Sequence, residues 1–169
     1  MKRDVLYVDD EQDNLVVFQA TFEDDFNIVT ASSGKEALEL LERQSFPVIV
    51  ADQRMPGMTG TEFFEQVRAR YPLTRRIMLT GYADSQAMLD AINKGQVYYF
   101  IKKPWDHDLV FSTIVRALES YDLAMANMAL TDRLVANDRC ATLGRSAARI
   151  AHEIGNQLCM LPLLELIEE

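Results

Sequence analysis

The sequence predicts an α/β domain, a doubly wound five-stranded parallel sheet, followed by a long C-terminal helix. Five short runs, Val5–Val8, Ile28–Ala31, Val48–Ala51, Ile77–Leu79 and Val97–Ile101, are nearly all apolar and rich in β-branched residues. Between them lie stretches with helical spacing: Leu15–Phe22, Ala37–Leu41, Phe63–Val67 and Ala87–Ile92. Strands apolar on both faces and separated by helices belong to a parallel sheet covered on both sides. Beyond Pro104 the strand-like runs stop and helical spacing takes over.

Taken in order, the first strand follows Met1-Lys2-Arg3 directly and ends on Asp9-Asp10. Ser32-Ser33-Gly34 opens the second helix, Pro56-Gly57 turns the chain after the third strand, and Pro104 closes the fifth. In the tail, Ile114, Leu118, Tyr121, Met125 and Met128 recur at steps of 4, 3, 4 and 3, a coiled-coil stripe. The register then slips, because Asp132 and Arg139 fall on that seam while Leu130 and Leu134 lie off it. This is one long helix, or two joined by a stutter. With the four other helices available to cover the sheet, the tail is expected to self-associate into a homodimer rather than fold back on the domain.

Composition bounds the function. The chain has 169 residues, 49% hydrophobic and 25% charged, which is a globular balance. Against 26 Asp and Glu there are 17 Lys and Arg, a net charge of −9, so a nucleic-acid surface is not expected. No apolar run approaches the ~20 residues that span a bilayer, and no signal sequence is read at the start. Cys140 and Cys159 have no partnering His or Cys spacing, so neither zinc nor a disulfide framework is expected, and a reducing cytoplasm is the simplest setting.

Chemistry gathers at the strand ends, where doubly wound sheets bind ligands. Asp9 and Asp10 follow the first strand and Asp52 closes the third, its neighbour, so three carboxylates are expected on one edge. Like charges that close repel, and such a cluster calls for a cation or a proton. All-oxygen ligands with no His or Cys nearby select a hard cation, Mg2+ with retained waters foremost. Acidic strand ends also serve as plain helix N-caps. Lys103, ending the fifth strand, is placed to reach the same pocket as a counter-charge, and Thr80, ending the fourth, offers a hydroxyl.

Four strings, in order at strand ends, carry a resemblance: Val8-Asp9-Asp10-Glu11, Asp52 through Gly60, Leu79-Thr80-Gly81, and Phe100-Ile101-Lys102-Lys103-Pro104. Over roughly residues 3–120 the chain resembles the receiver domain of two-component response regulators. The resemblance implies a flavodoxin-like sheet of order 2-1-3-4-5 and phosphorylation of Asp52. It implies Mg2+ held by Asp9 or Asp10, Asp52 and the Arg54 backbone carbonyl. It also implies that Lys103 binds the phosphoryl oxygens, that Thr80 turns inward to them, and that Phe100 moves in concert. An acyl phosphate adds about −1.5 to −2 charge and strong acceptors, so Thr80 and Lys103 gain partners in one state only.

Of the two histidines, His107 in Trp105-Asp106-His107-Asp108 reads as surface decoration at a helix start. His152 lies ~200° around a helix from Ile150 and off the apolar stripe, and Asn156 returns to nearly its face. Spacing alone describes an ordinary solvated helix face. Leu143-Gly144-Arg145 and Ile150 through Leu158, however, resemble the H-box of histidine kinase dimerisation helices. That resemblance implies His152 as phosphoacceptor, Glu153 as its acid/base, and Asn156 as an aid to dephosphorylating a receiver aspartate. Gly155 and Gln157 depart from the usual Arg or Asn and the usual Pro, which puts the helix kink in doubt.

The expected domains are a receiver (1–120), a coiled-coil signalling helix (121–142), and the first helix of a kinase dimerisation domain (143–169). No glycine-rich phosphate loop is present, and only 17 residues follow His152, so no ATP-binding domain fits. A fragment of a longer receiver-containing histidine kinase is expected, with a kinase catalytic domain or other phosphorelay proteins as partners. The alternative is a non-enzymatic adaptor whose helical tail is only a dimerisation stalk. A phosphatase is disfavoured because Arg54 stands two residues after Asp52, where such enzymes want a second acid. A flavin or dinucleotide carrier is disfavoured by the acidic first βα turn.

Overall fold

In a computed structural model, residues 2–81 and 97–134 are described. Five strands, β1 (Asp4–Val8), β2 (Asn27–Ala31), β3 (Val48–Asp52), β4 (Arg75–Thr80) and β5 (Tyr99–Lys102), form one parallel sheet in the order β2-β1-β3-β4-β5. Helices α1 (Gln12–Phe22), α2 (Gly34–Arg43) and α3 (Gly60–Arg70) connect the strands, and α4 occupies residues 107–134. The helix expected over Ala87–Ile92 lies outside the described residues. Expected runs mark strand and helix centres, and the elements extend past them by one to three residues at most ends, where polar residues join the ladder or the cap; the fifth run is the exception at its start, since β5 begins at Tyr99 and not at Val97.

Alternation along each strand divides the core in two. Val5 and Tyr7 of β1 join Leu15, Phe18 and Phe22 of α1 and Val110, Ile114 and Leu118 of α4 on one side. Leu6 and Val8 join Ala37 and Leu41 of α2 and Phe63, Phe64 and Val67 of α3 on the other. Every residue of β3 is buried, as a central strand covered on both faces must be.

Caps set the helix starts. The Ser33 hydroxyl accepts from the Glu36 backbone N–H. Thr59 and Glu62 form a reciprocal capping box on α3, a signal present in the sequence as Thr-x-x-Glu. The Asp106 carboxylate accepts from the Leu109 N–H at the start of α4. Gly57, in the turn after β3, has φ +77°, which a glycine adopts without strain.

The tail helix corrects one expectation. Ile114 and Leu118, the first two members of the coiled-coil stripe, are buried in the domain's own core, so α4 does fold back over its first turns. Further along, Leu123, Met125, Met128, Leu130 and Leu134 are exposed. Two compact units are separable, Met1–Met125 and Ala126–Glu169; residues 126–134 of the second are helical. Among the described residues no helix is long and apolar enough to cross a membrane.

Candidate functional site

Strand register builds the site. Val8 pairs with Ala51 across β1 and β3, so Asp9 and Asp52, one residue further on each, emerge side by side. Thr80 pairs with Lys102 across β4 and β5, and the Lys103 backbone N–H donates to the Thr80 carbonyl at 2.8 Å. Lys103 thereby starts its side chain at the same sheet edge. Its Nζ donates to Asp9 Oδ2 at 3.0 Å and stands 2.5 Å from Asp52 Oδ1. One ammonium joins the two carboxylates.

Asp9 is held at both oxygens. Oδ1 accepts from the Glu11 backbone N–H and from Asn14 Nδ2, each at 3.0 Å; Oδ2 accepts from the Tyr7 hydroxyl at 2.8 Å and from Lys103. Burial pushes this carboxyl up. The hydrogen bonds from Asn14, Glu11, Lys103 and Tyr7 outweigh it and hold the group below the usual carboxylate range. Asp52 behaves oppositely. Burial raises it, and the Lys103 ammonium together with the Arg54 N–H, 2.7 Å from Oδ2, does not cancel that push. Burial draws Lys103 down, but Asp52 and Asp9 together raise it. The Lys103 side chain is 29% exposed against 1% for Asp9 and 10% for Asp52, so the lysine is the most open member of the cluster. A cleft of about 400 Å³, lined by Glu11, Asn14, Lys103, Pro104 and Trp105, opens beside it.

Not all expected residues converge. Asp10 is exposed, and among the described residues no three Asp, Glu, His or Cys side chains stand close enough to form a metal-holding group. Asp9 and Asp52 are joined by Lys103 into a cluster of two carboxylates and a lysine, and Asp10 stands exposed beside it in sequence. Lys103 sits in direct contact with both buried acids and supplies the positive charge that their proximity demands. Thr80 is buried at the end of β4, its hydroxyl donating to the Gly81 carbonyl at 3.2 Å. Phe100 is half-buried against the core on the α2 and α3 side, opposite Met78 in register. His152, Glu153 and Asn156, with both cysteines, lie outside the described residues.

Gly60 brings α3 hard against this site. A Cβ there would stand 2.3 Å from the Asp52 carbonyl oxygen, so only glycine permits the approach. Sequence reading missed Tyr7 and Asn14. Their signal was positional: Tyr7 is two residues before Asp9 on a strand, hence on the same side, and Asn14 is in the first turn of the following helix. His107 is more than decoration, since its ring stacks on Phe22 at 5.2 Å and 12°.

The donors suit a hard cation: the carboxylates of Asp10 and Asp52 and the Arg54 carbonyl are all oxygen, and Asp52 is a buried anion whose burial disfavours its charge. Asp9, with both oxygens already hydrogen-bonded, is less free to join them. An Mg2+ ion at that edge would neutralise charge that Lys103 alone leaves uncompensated.

Comparison with known proteins agrees with this arrangement. The family described as "Response regulator receiver domain" matches residues 5–130. The hydrogenase transcriptional regulatory protein HoxA of Cupriavidus necator is 42% identical over 119 residues, 70% of this chain and 25% of that protein. The chain spans about a quarter of the length of the first curated relatives it matches. Among solved structures, adenylate cyclase from Rhodopirellula baltica superposes with a TM-score of 0.75 at 34% identity, covering 78% of this chain and 98% of that one. A response regulator receiver domain protein from Clostridium thermocellum superposes with a TM-score of 0.69 at 26% identity, covering 72% and 98%. Its strand order, its acid-and-lysine strand ends and these likenesses agree: the chain belongs to the response regulator receiver domain family.

Proposed function

We propose that the chain is a phosphorylation-controlled module in which Asp52 accepts a phosphoryl group and α4 carries the resulting state to a dimeric output. A carboxylate oxygen of Asp52 attacks phosphorus, the bond from phosphorus to the donor's leaving group breaks, and an acyl phosphate forms. Lys103 supports this reading most directly, touching Asp52 and Asp9 while remaining partly open to solvent. In that position the ammonium orients the nucleophile and then follows the incoming phosphoryl oxygens. Asp10, Asp52 and the Arg54 carbonyl, with Asp9 behind them, would hold Mg2+, which supplies charge neutralisation on the transferring group. Thr80, at the end of β4, and Phe100, within β5, would respond to the new charge. Among the described residues, the exposed Leu123, Leu130 and Leu134 support self-association of the tail.

For the output we propose His152 as a second phosphoacceptor, with Glu153 relieving its ring of a proton and Asn156 assisting phosphoryl loss from Asp52. The H-box resemblance supports this, and a histidine kinase catalytic domain would be the partner. A second reading is favoured by the relatives, which are named transcriptional regulators. There the receiver serves a transcriptional output and the helical tail is a dimerisation stalk.

Labelling with a small-molecule phosphodonor and Mg2+, read by intact mass in wild type and Asp52→Asn, tests the module. Label that survives Asp52→Asn defeats the reading. Adding a histidine kinase catalytic domain with ATP separates the outputs: a label lost in His152→Gln supports the kinase reading, and equal labelling of both proteins supports the stalk.

A further inference from the structure

Tyr7 is fully buried in β1, yet its hydroxyl ends on the candidate site. Its ring stacks on Phe18 with centroids 3.9 Å apart and planes 11° from parallel, which fixes where the hydroxyl can point. That hydroxyl donates at 2.8 Å to Asp9 Oδ2, the same oxygen that Lys103 Nζ contacts at 3.0 Å. Lys103 Nζ is in turn 2.5 Å from Asp52 Oδ1. Tyr7, Asp9, Lys103 and Asp52 therefore form one chain of contacts running from the core to the proposed phosphoryl acceptor.

A buried tyrosine must satisfy its hydroxyl somewhere, and a packing role needs nothing more. The acceptor here decides otherwise. The Tyr7 bond saturates one lone pair of the oxygen for which Lys103 competes, so it limits how strongly Asp9 holds the ammonium. Without the hydroxyl, Asp9 Oδ2 has Lys103 alone, and the ammonium is drawn toward Asp9 and away from Asp52.

We propose that Tyr7 is a positioning residue: through Asp9 it sets the division of Lys103 between Asp9 and Asp52. This deepens the phosphoacceptor reading and rests on it for its kinetic consequence, while its structural consequence stands in the metal-free protein.

Tyr7→Phe keeps the ring and its stack on Phe18, so the fold should survive, which a thermal melt checks. In metal-free protein, the Asn14 side-chain amide, bound to the other oxygen of Asp9, should change its NMR shift in Tyr7→Phe as the carboxylate turns. An unmoved amide overturns the proposal whether or not Asp52 takes phosphate. With phosphodonor and Mg2+, phosphorylation of Asp52 should slow about three- to tenfold, less than the full loss of a hydrogen bond to a charged group because Tyr7 acts on Asp52 only through Asp9 and Lys103. In the Asp9→Asn background the same substitution should have no further effect, because the oxygen it acts through has changed. If Tyr7→Phe slows both backgrounds equally, Tyr7 acts by packing and the proposal fails. Labelling of Asp52→Asn as readily as of wild type would defeat the phosphoacceptor reading instead, leaving the Asn14 amide to decide on Tyr7.

Discussion

Asp52 is placed where ionisation costs folding free energy. Its carboxyl is raised by burial despite Lys103, whereas Lys103 is itself raised by its two acids. Burial outweighs the ion pair at Asp52, and Lys103 keeps Asp9 as a partner when Asp52 is neutral. A raised carboxyl contributes stability that is present below its unfolded value and lost as pH rises through its folded value. Asp52→Asn should therefore melt above wild type at pH 7, and the gap should narrow as pH falls toward 4 and Asp52 takes up its proton. A gap that widens on acidification would contradict this. Asp9, lowered from 3.8, acts in reverse and loses its stabilising effect only as pH falls through its lower folded value.

Gly60 offers a steric test on the same site. Gly60→Ala places a methyl 2.3 Å from a backbone oxygen, which cannot swing away as a side chain would. Urea unfolding should show a loss of about 2 kcal/mol or more, with slower labelling of Asp52. Asp52, Lys103 and Thr80 were legible in the sequence because each ends an apolar run, and strand ends are where a parallel sheet gathers its chemistry. Asp9 and Asp10 part company after the strand: Asp9 is buried in the hydrogen-bonded cluster and Asp10 is exposed, a split that two acids in a row do not announce. Tyr7 and Asn14 were legible only as positions, on the strand and in the first helical turn, because only the fold reveals which acceptor each side chain finds.

At the scale of elements, α4 changes its surroundings along its length, from buried to exposed. Ile114 is fully buried between helix and sheet, whereas Leu130 is 56% exposed. Ile114→Ala should cost about 2–5 kcal/mol in urea unfolding. Leu130→Ala should change subunit stability by less than ~0.5 kcal/mol while weakening self-association measured by sedimentation. Equal effects of the two would remove the division. The heptad spacing was legible, but it could not tell a seam facing the chain's own sheet from one facing a second copy, because both need apolar residues at steps of 3 and 4. Arg3, bidentate to Asp122 at 2.7 and 3.2 Å, and Arg75, donating to the Ser120 carbonyl at 2.8 Å, pin the helix to the starts of β1 and β4. The Arg3–Asp122 pair is exposed, so Asp122→Ala should cost no more than ~1 kcal/mol.

Over the whole molecule, the described residues form a sheet whose central strand is buried throughout and which carries a compact charged site at one edge. In the proposed module, a charge change at Asp52 would act on Thr80 and Lys103 at the ends of β4 and β5 while the central strand stays packed. Chelation of divalent ions should abolish labelling by a phosphodonor and leave the melting midpoint close to its metal-free value. A metal-independent label would show that Lys103 suffices.

The most direct measurement is chemical mapping of the modified side chain. Borohydride reduces an aspartyl phosphate to homoserine and leaves free carboxylates and phosphohistidine unreduced. After incubation with phosphodonor and Mg2+, peptide mass spectrometry should find homoserine at position 52 and at no other aspartate. Homoserine at Asp9 or Asp10, or stable phosphate elsewhere with Asp52 untouched, would mean that the pair of acids and their lysine serve some other chemistry.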